Sequence, residues 1–276
     1  LSAPVAIAWL RHDLRLADNP ALAAAAGHGR LVPLYILEEP TARPDGAANR
    51  WWLENSLAAL HGDLVRLGSG LLCRRGDPES LLPRLASELG AAVYWNRRYG
   101  PERARDERVK TALHEAGHPA HSYPGNLLFE PWTVATGTGT PYRVYTPYWK
   151  AVRPRLGEVA PQPAPTELPP LPDGQAADGP PAVADRHPWT GKLGHHWTPG
   201  ESGARGRLCD FSGECMADYP QSRERPALTT GTSRLSPHLH FGEVTPRQVA
   251  AVALACIEEG HPRDGIETFL QELVWR

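Results

Sequence analysis

Cysteine is scarce in this chain of 276 residues: Cys73, Cys209, Cys215 and Cys256 are the four present, and no two form a C-x-x-C pair. That excludes a small disulfide scaffold and points to a reducing compartment. Long apolar runs are missing too. The run from Val249 to Ile257 has nine residues, whereas a helix crossing hydrocarbon needs about 20. At the other end, Val5 to Leu10 is broken at once by Arg11-His12-Asp13 and follows no basic segment, so it fails as a secretory signal. A cytoplasmic protein with no membrane partner is expected. Charge of one sign is equally absent. With 29 Lys and Arg against 31 Asp and Glu the net charge is −2, so any DNA affinity must come from a local basic patch. What remains, 41% apolar and 22% charged residues, is the composition of a folded globular chain.

Several signatures are also missing. No G-x-G-x-x-G, Walker A or G-x-S-x-G motif occurs, which removes the usual dinucleotide, NTPase and hydrolase readings. His114-Glu-Ala-Gly-His118 matches the zinc-protease pattern, but Gly117 and Pro119 end the helix where the second imidazole must be held. His195-His196 with Cys209 and Cys215 has no compelling spacing. No metal site is expected.

The N-terminal half alternates short apolar runs with helical patterns. Val5 to Leu10, Leu31 to Leu37, Ala91 to Trp95 and Ala120 to Tyr123 read as buried strands. Between them, Asn19-Pro20 opens a helix that Gly27 ends. Asn49 is expected to cap a second, with Leu53, Leu57, Leu60, Leu64 and Leu67 on its inner face and Gly68 beyond it. Asp77-Pro78 opens a third that Gly90 closes, and a fourth covers about Glu102 to Ala116. This alternation, in which four strands are read, implies right-handed crossovers and an α/β domain with an open, parallel, doubly wound sheet, expected to be five-stranded.

Ten prolines then fall within 35 residues, from Pro154 to Pro188, as in an extended connector. Helical patterning follows. Thr245-Pro-Arg-Gln248 makes a capping box, and Val249, Val252, Ala253, Cys256 and Ile257 recur at helical spacing. In the last helix Ile266, Phe269, Leu270, Leu273 and Val274 do the same, and Arg276 falls inside that pattern with no stop signal. A fragment of a longer chain is the expectation.

Two local features carry chemistry. Around Gly231-Thr-Ser-Arg-Leu-Ser236-Pro237, Thr232, Ser233 and Ser236 surround a helix start whose cap is read as Ser236, a seat for a phosphate or diphosphate or simply a capped helix. On the last helix, at about 100° per residue from Ile266, the apolar residues lie between about −60° and 80°, Glu272 near 240° and Trp275 near 180°. An indole on the polar face beside a carboxylate suits a pocket that stacks a flat ligand and bonds its edge, or else a second buried contact in a larger domain. Tyr219 and Arg223 stand one helical turn apart upstream, followed by Arg225.

Taken in order, Trp9-Leu-Arg-His-Asp-Leu-Arg-Leu-Ala-Asp-Asn19, Arg50-Trp-Trp-Leu, Asn96-Arg-Arg-Tyr99, Arg103-Ala-Arg-Asp106, Tyr142 to Lys150, Tyr219-x-x-x-Arg223-x-x-Pro226, Gly231-Thr-Ser-Arg-Leu-Ser236 and Phe269-Leu-Gln-Glu-Leu-Val-Trp-Arg276 resemble the DNA photolyase and cryptochrome family, most closely its class I type branch. The resemblance covers almost the whole length. It implies an antenna-type α/β domain over residues 1–130, an interdomain connector over 131–200 and the first part of an all-α FAD-binding domain over 201–276. Position by position it implies that Tyr219, Thr232, Ser233, Arg234, Leu235, Ser236 and Phe269 belong to the FAD site, the hydroxyl-rich turn holding the diphosphate. Arg223, Glu272, Trp275 and Arg276 match positions that meet DNA, with Trp275 stacking on a flipped pyrimidine pair and Glu272 bonding its edge. A second, light-harvesting chromophore, folate or deazaflavin, is implied near the C-terminal ends of the strands. The choice stays open because Tyr99-Gly-Pro-Glu102 departs from the longer loop common there.

The activity so implied is light-driven repair of cyclobutane pyrimidine dimers in damaged DNA by electron transfer from reduced FAD, by a monomer. A cryptochrome-type photoreceptor without repair is the alternative, and a degenerate chain used only for interaction is a third. Relatives continue for roughly another domain, so these residues alone are expected to bind FAD weakly or not at all and not to repair DNA.

Overall fold

Side chains on β1 (Val5–Leu10) alternate between two buried environments. Ala6, Ala8 and Leu10 face one apolar cluster and Ile7 and Trp9 the other, the period-two pattern of a strand covered on both faces. The computed structural model describes residues 3–38, 45–183 and 187–275. After β1 come α1 (Pro20–Ala25), β2 (Arg30–Leu37), α2 (Ala47–Arg66), β3 (Leu72–Arg75), α3 (Pro78–Leu89), β4 (Ala91–Asn96), α4 (Glu102–Glu115) and β5 (Ala120–Tyr123). The five strands are all parallel in the order β3-β2-β1-β4-β5. The expected α/β sheet is therefore present, and its order reverses between β1 and β4.

Local signals set most helix boundaries. Asn19 accepts from the Leu22 amide, Asp77 from that of Glu79, and Gly90 ends α3 at φ 60°. The expected Asn49 cap is corrected. α2 begins at Ala47 with Gly46 at its cap, because two good helix formers extend it upstream, and Asn49 lies in its first turn.

The described residues form two compact units. The first joins the chain up to Asn126 with Gln162–Glu201 and His240–Glu243. Its proline-rich part does more than tether. Asp18 and Leu31 donate backbone bonds to Gln162 and Pro170, Leu168 donates to Leu67 and is buried, and Asp178 accepts from Cys73 at the β3 edge. The charged loop after β1 is likewise buried. The Arg11 guanidinium donates to Asp106 at 2.5 Å and to the Asn96 carbonyl at 2.7 Å, and Asn96 donates to Asp13 and Asn19, both at 2.7 Å. Arg15, fully buried, donates to the carbonyls of Ala17, Asp18, Gly125 and Gly242.

The second unit comprises Leu127–Pro161, Ser202–Leu239 and the chain from Val244 onward. Its helices are α5 (Tyr145–Val152), α7 (Glu201–Phe211, from Ser202), α8 (Glu214–Ala217), α9 (Tyr219–Ser222), α10 (Ser236–Phe241, as far as Leu239), α11 (Pro246–Glu258) and α12 (Arg263–Trp275). A short α6 (Thr190–Leu193) belongs to the first unit. The Thr245 capping box forms with both reciprocal bonds. No described helix is long and apolar enough to cross a membrane.

Two outcomes follow from these packings. Gly242 has φ +69°, and a Cβ there would lie 2.0 Å from the His12 carbonyl oxygen. Gly242→Ala should therefore cost about 2–5 kcal/mol in urea unfolding, whereas Gly137→Ala, which meets nothing within 4 Å, should stay within about 0.5 kcal/mol. The second concerns His12, whose Nδ1 donates to the His240 carbonyl at 2.8 Å. Burial, the Arg98 charge and the neighbouring His240 lower its pKa from 6.5 to about 4. Because the unfolded imidazole takes a proton first, stability should fall as pH drops from about 6.5 towards 4, by at most about 1.4 kcal/mol per pH unit, and level off below that. Urea midpoints measured across that window should show the slope, and His12→Gln should flatten it.

Candidate functional site

The amphipathic pattern of α12 places its side chains as the helical wheel expects. Ile266, Phe269, Leu270, Leu273 and Val274 are buried, while Glu272 is exposed and Trp275 is 65% exposed. Among the described residues, therefore, the indole stands outside the apolar core of the second unit.

Beside it lies a cluster built from α7, α9 and α12. The Tyr219 ring packs edge-on against Phe269 (centroids 5.4 Å apart) and Phe211 (6.0 Å), and Phe211 and Phe269 are 5.1 Å apart. Burial raises the Tyr219 phenol above its ordinary pKa. On the outer side of that cluster Arg223 lies 5.1 Å over the Tyr219 ring and donates to Glu272 at 2.6 Å. This bond holds the guanidinium above its ordinary pKa. One turn past Phe269, therefore, a carboxylate is fixed by an arginine that is itself seated on an aromatic ring.

The hydroxyl-rich turn is anchored separately. Residues 223–230 are exposed, but Gly231 is buried against α9, where a Cβ would lie 2.6 Å from the Ser222 carbonyl oxygen, and Ser222 Oγ donates to the Gly231 carbonyl at 3.2 Å. Arg234 has φ 54°, in the left-handed region that non-glycine residues seldom occupy. Leu235 is buried, and its amide donates to Ser233 Oγ at 3.4 Å. Thr232 and Ser236 are exposed, Ser233 and Arg234 half-buried. The expected cap shifts by one residue. Ser236 is the first helical residue and Leu235 supplies the carbonyl that Leu239 binds, since proline is tolerated anywhere in a first turn.

The structure thus brings Tyr219, Arg223, Phe269 and Glu272 together, places Trp275 on the next turn of the same helix, and sets Thr232 to Ser236 on a turn pinned to α9. Phe269 packs between rings. Arg276 lies outside the described residues. Two participants escaped the sequence reading. Phe211 gave no signal beyond being apolar. Tyr145 sits edge-on to Trp275, with centroids 4.5 Å apart and planes at 87°; the crowding of Tyr142, Tyr145, Tyr148 and Trp149 in eight residues was the available hint.

Residues 6–169 match the family model described as DNA photolyase. The chain is 41% identical over 281 residues to a deoxyribodipyrimidine photo-lyase of Agrobacterium fabrum, covering 100% of this chain and 58% of that protein. It is 36% identical over 255 residues to cryptochrome-2 of Arabidopsis thaliana, covering 88% of this chain and 42% of the relative. The crystal structure of a bacterial class III photolyase from Agrobacterium tumefaciens superposes with a TM-score of 0.92 at 39% identity, again over 100% of this chain and 58% of the other. The chain spans less than two thirds of the length of these relatives. By its family match, its sheet and its motifs, the chain belongs to the DNA photolyase family.

Proposed function

We propose that this chain carries the lesion-facing side, and part of the flavin-holding side, of a deoxyribodipyrimidine photolyase, which splits cyclobutane pyrimidine dimers in damaged DNA by light-driven electron transfer from reduced FAD. The family uses FAD and binds damaged DNA. The observation that carries the reading is the exposed Trp275 next to a Glu272 carboxylate fixed by Arg223. A pyrimidine pair extruded from the duplex offers a flat face and an N–H edge. The indole is the platform for the first and the carboxylate the acceptor for the second. Arg223 stands on this face paired with Glu272, and with Arg276, at a position that the resemblance assigns to DNA contact, would meet the flanking phosphates.

The residues present fit the flavin. Hydroxyls at Thr232, Ser233 and Ser236, the Arg234 side chain and a turn closed by Gly231 form a donor set suited to an anionic diphosphate, with Leu235 anchoring the turn from inside and Tyr219 and Phe269 as aromatic neighbours. When bound there, FAD would supply the light-driven electron donor. The chain's own contribution is to hold the diphosphate, seat the damaged bases and keep Glu272 aimed at their edge. In the first unit, the reversal of strand order between β1 and β4 supports a second chromophore, folate or deazaflavin, at the C-terminal ends of the strands. Four free cysteines agree with a reducing compartment such as the cytoplasm.

The cryptochrome reading has the 36% identity to a plant cryptochrome in its favour. One assay separates the two. The whole protein, incubated in blue light with thymine-dimer DNA, should remove the dimers, and Trp275→Ala should weaken binding to that DNA by roughly 5- to 150-fold, the usual loss for a base-stacking aromatic. Flavin-loaded protein that leaves dimers intact would establish the photoreceptor instead, and purified whole protein lacking flavin absorbance would leave only an interaction role.

A further inference from the structure

We infer that Tyr145 is a positioning residue that pre-orders the Trp275 indole for stacking. The inference rests on the reading of Trp275 as the lesion platform and extends it to a residue outside the motif that carries it.

The Trp275 indole is 65% exposed among the described residues, so burial alone does not choose its rotamer. A free rotor must be frozen when a base stacks on it, which weakens binding. Tyr145 supplies the missing restraint through two contacts that converge on the same turn. Its hydroxyl donates to the Gln271 carbonyl at 2.5 Å, the oxygen towards which the Trp275 amide points in an α-helix. Its ring meets the indole edge-on at 4.5 Å and 87°, a favoured aromatic geometry. One side chain therefore holds both the backbone that carries Trp275 and the plane of its ring. Burial and the nearby Glu272 charge push the Tyr145 phenol up to about 12, so the donor stays protonated at any working pH.

The anchor beneath Tyr145 is independent of it. At the other end of α5, Arg153 donates to both carboxylate oxygens of Glu267 at 2.8 Å, and Val152 and Leu156 are buried. Removing the Tyr145 ring leaves α5 seated on α12, so the effect on Trp275 can be read without loss of the fold.

The test is a double-variant cycle on the whole protein, kept dark, reading the ratio of affinities for thymine-dimer and undamaged oligonucleotide. Tyr145→Ala should lower that ratio about two- to tenfold. Tyr145→Phe, which keeps the ring and loses the hydroxyl, should recover most of it, and Tyr145→Ala added to Trp275→Ala should cause no further loss. In protein labelled with 5-fluorotryptophan, the Trp275 ¹⁹F line, identified by Trp275→Phe, should narrow or shift in Tyr145→Ala. If Trp275→Ala lowers the ratio while Tyr145→Ala does not, or if the two losses simply multiply, the positioning role is overturned and the lesion platform stands. If Trp275→Ala itself changes nothing, the platform reading falls, and with it the inference.

Discussion

A single guanidinium organises the first unit. Arg15 is wholly removed from water and donates to four carbonyls, at Ala17, Asp18, Gly125 and Gly242. Burying a charge is costly unless its hydrogen bonds are met, and a planar fork with five donors meets them in a fixed geometry that an ammonium cannot copy. The consequence is that the loop leaving β1, the segment following β5 and the turn at Gly242 are held at one point, although Arg15 and Gly242 are 227 positions apart in the chain. The close approach of Gly242 to the His12 carbonyl follows from the same convergence. The neighbouring Arg11, Asp13 and Asn96 are spent similarly, on one another and on Asp106 and Asn19. The charged side chains of Arg11, Asp13 and Arg15 in that N-terminal motif therefore hold the first unit together.

Charges in the second unit are arranged differently. Arg223 and Glu272 form their pair in partial exposure, and such a pair adds little to stability. Its value is directional. A bare carboxylate on an exposed helix face would sample several rotamers, whereas one hydrogen-bonded to a guanidinium resting on Tyr219 is held near one position. The same logic runs along α12. Its inner stripe is ordinary core and fixes the helix, and its outer face carries an acid and an indole, each ordered by a partner from another element. The contrast with Arg15 is one of hydration: an arginine dehydrated among carbonyls fixes the scaffold, and one paired at the surface orients a carboxylate.

Much of this was legible in the sequence because it is written in short-range patterns. Strand alternation, the Asn19 and Asp77 caps, the Thr245 capping box and the inner stripe of α12 all depend on residues within a few positions of one another, and each formed as expected. The Glu272 and Trp275 anomaly was legible for the same reason. The misses were long-range or one to three residues wide. Gly46 rather than Asn49 capped α2 because propensity outran the better capping side chain. The proline-rich stretch supplied backbone hydrogen bonds to the sheet unit, and composition does not reveal where an extended chain will find partners. Tyr145 lies 126 positions from Gln271, so no local pattern could pair them.

The two halves of the candidate site also differ in how much is already formed. On α12, Glu272 and Trp275 are each in contact with a partner inside the second unit. At the hydroxyl-rich turn, Thr232 and Ser236 are exposed, and α10 has only six residues, too short for a full macrodipole to reinforce its few amide donors. A diphosphate held by hydroxyls, one arginine and a single helical turn is held weakly unless other groups enclose the rest of the cofactor. The relatives are longer than this chain by a large fraction of their length, which leaves room for such groups. The face that carries Glu272 and Trp275 is thus the better ordered of the two within the second unit.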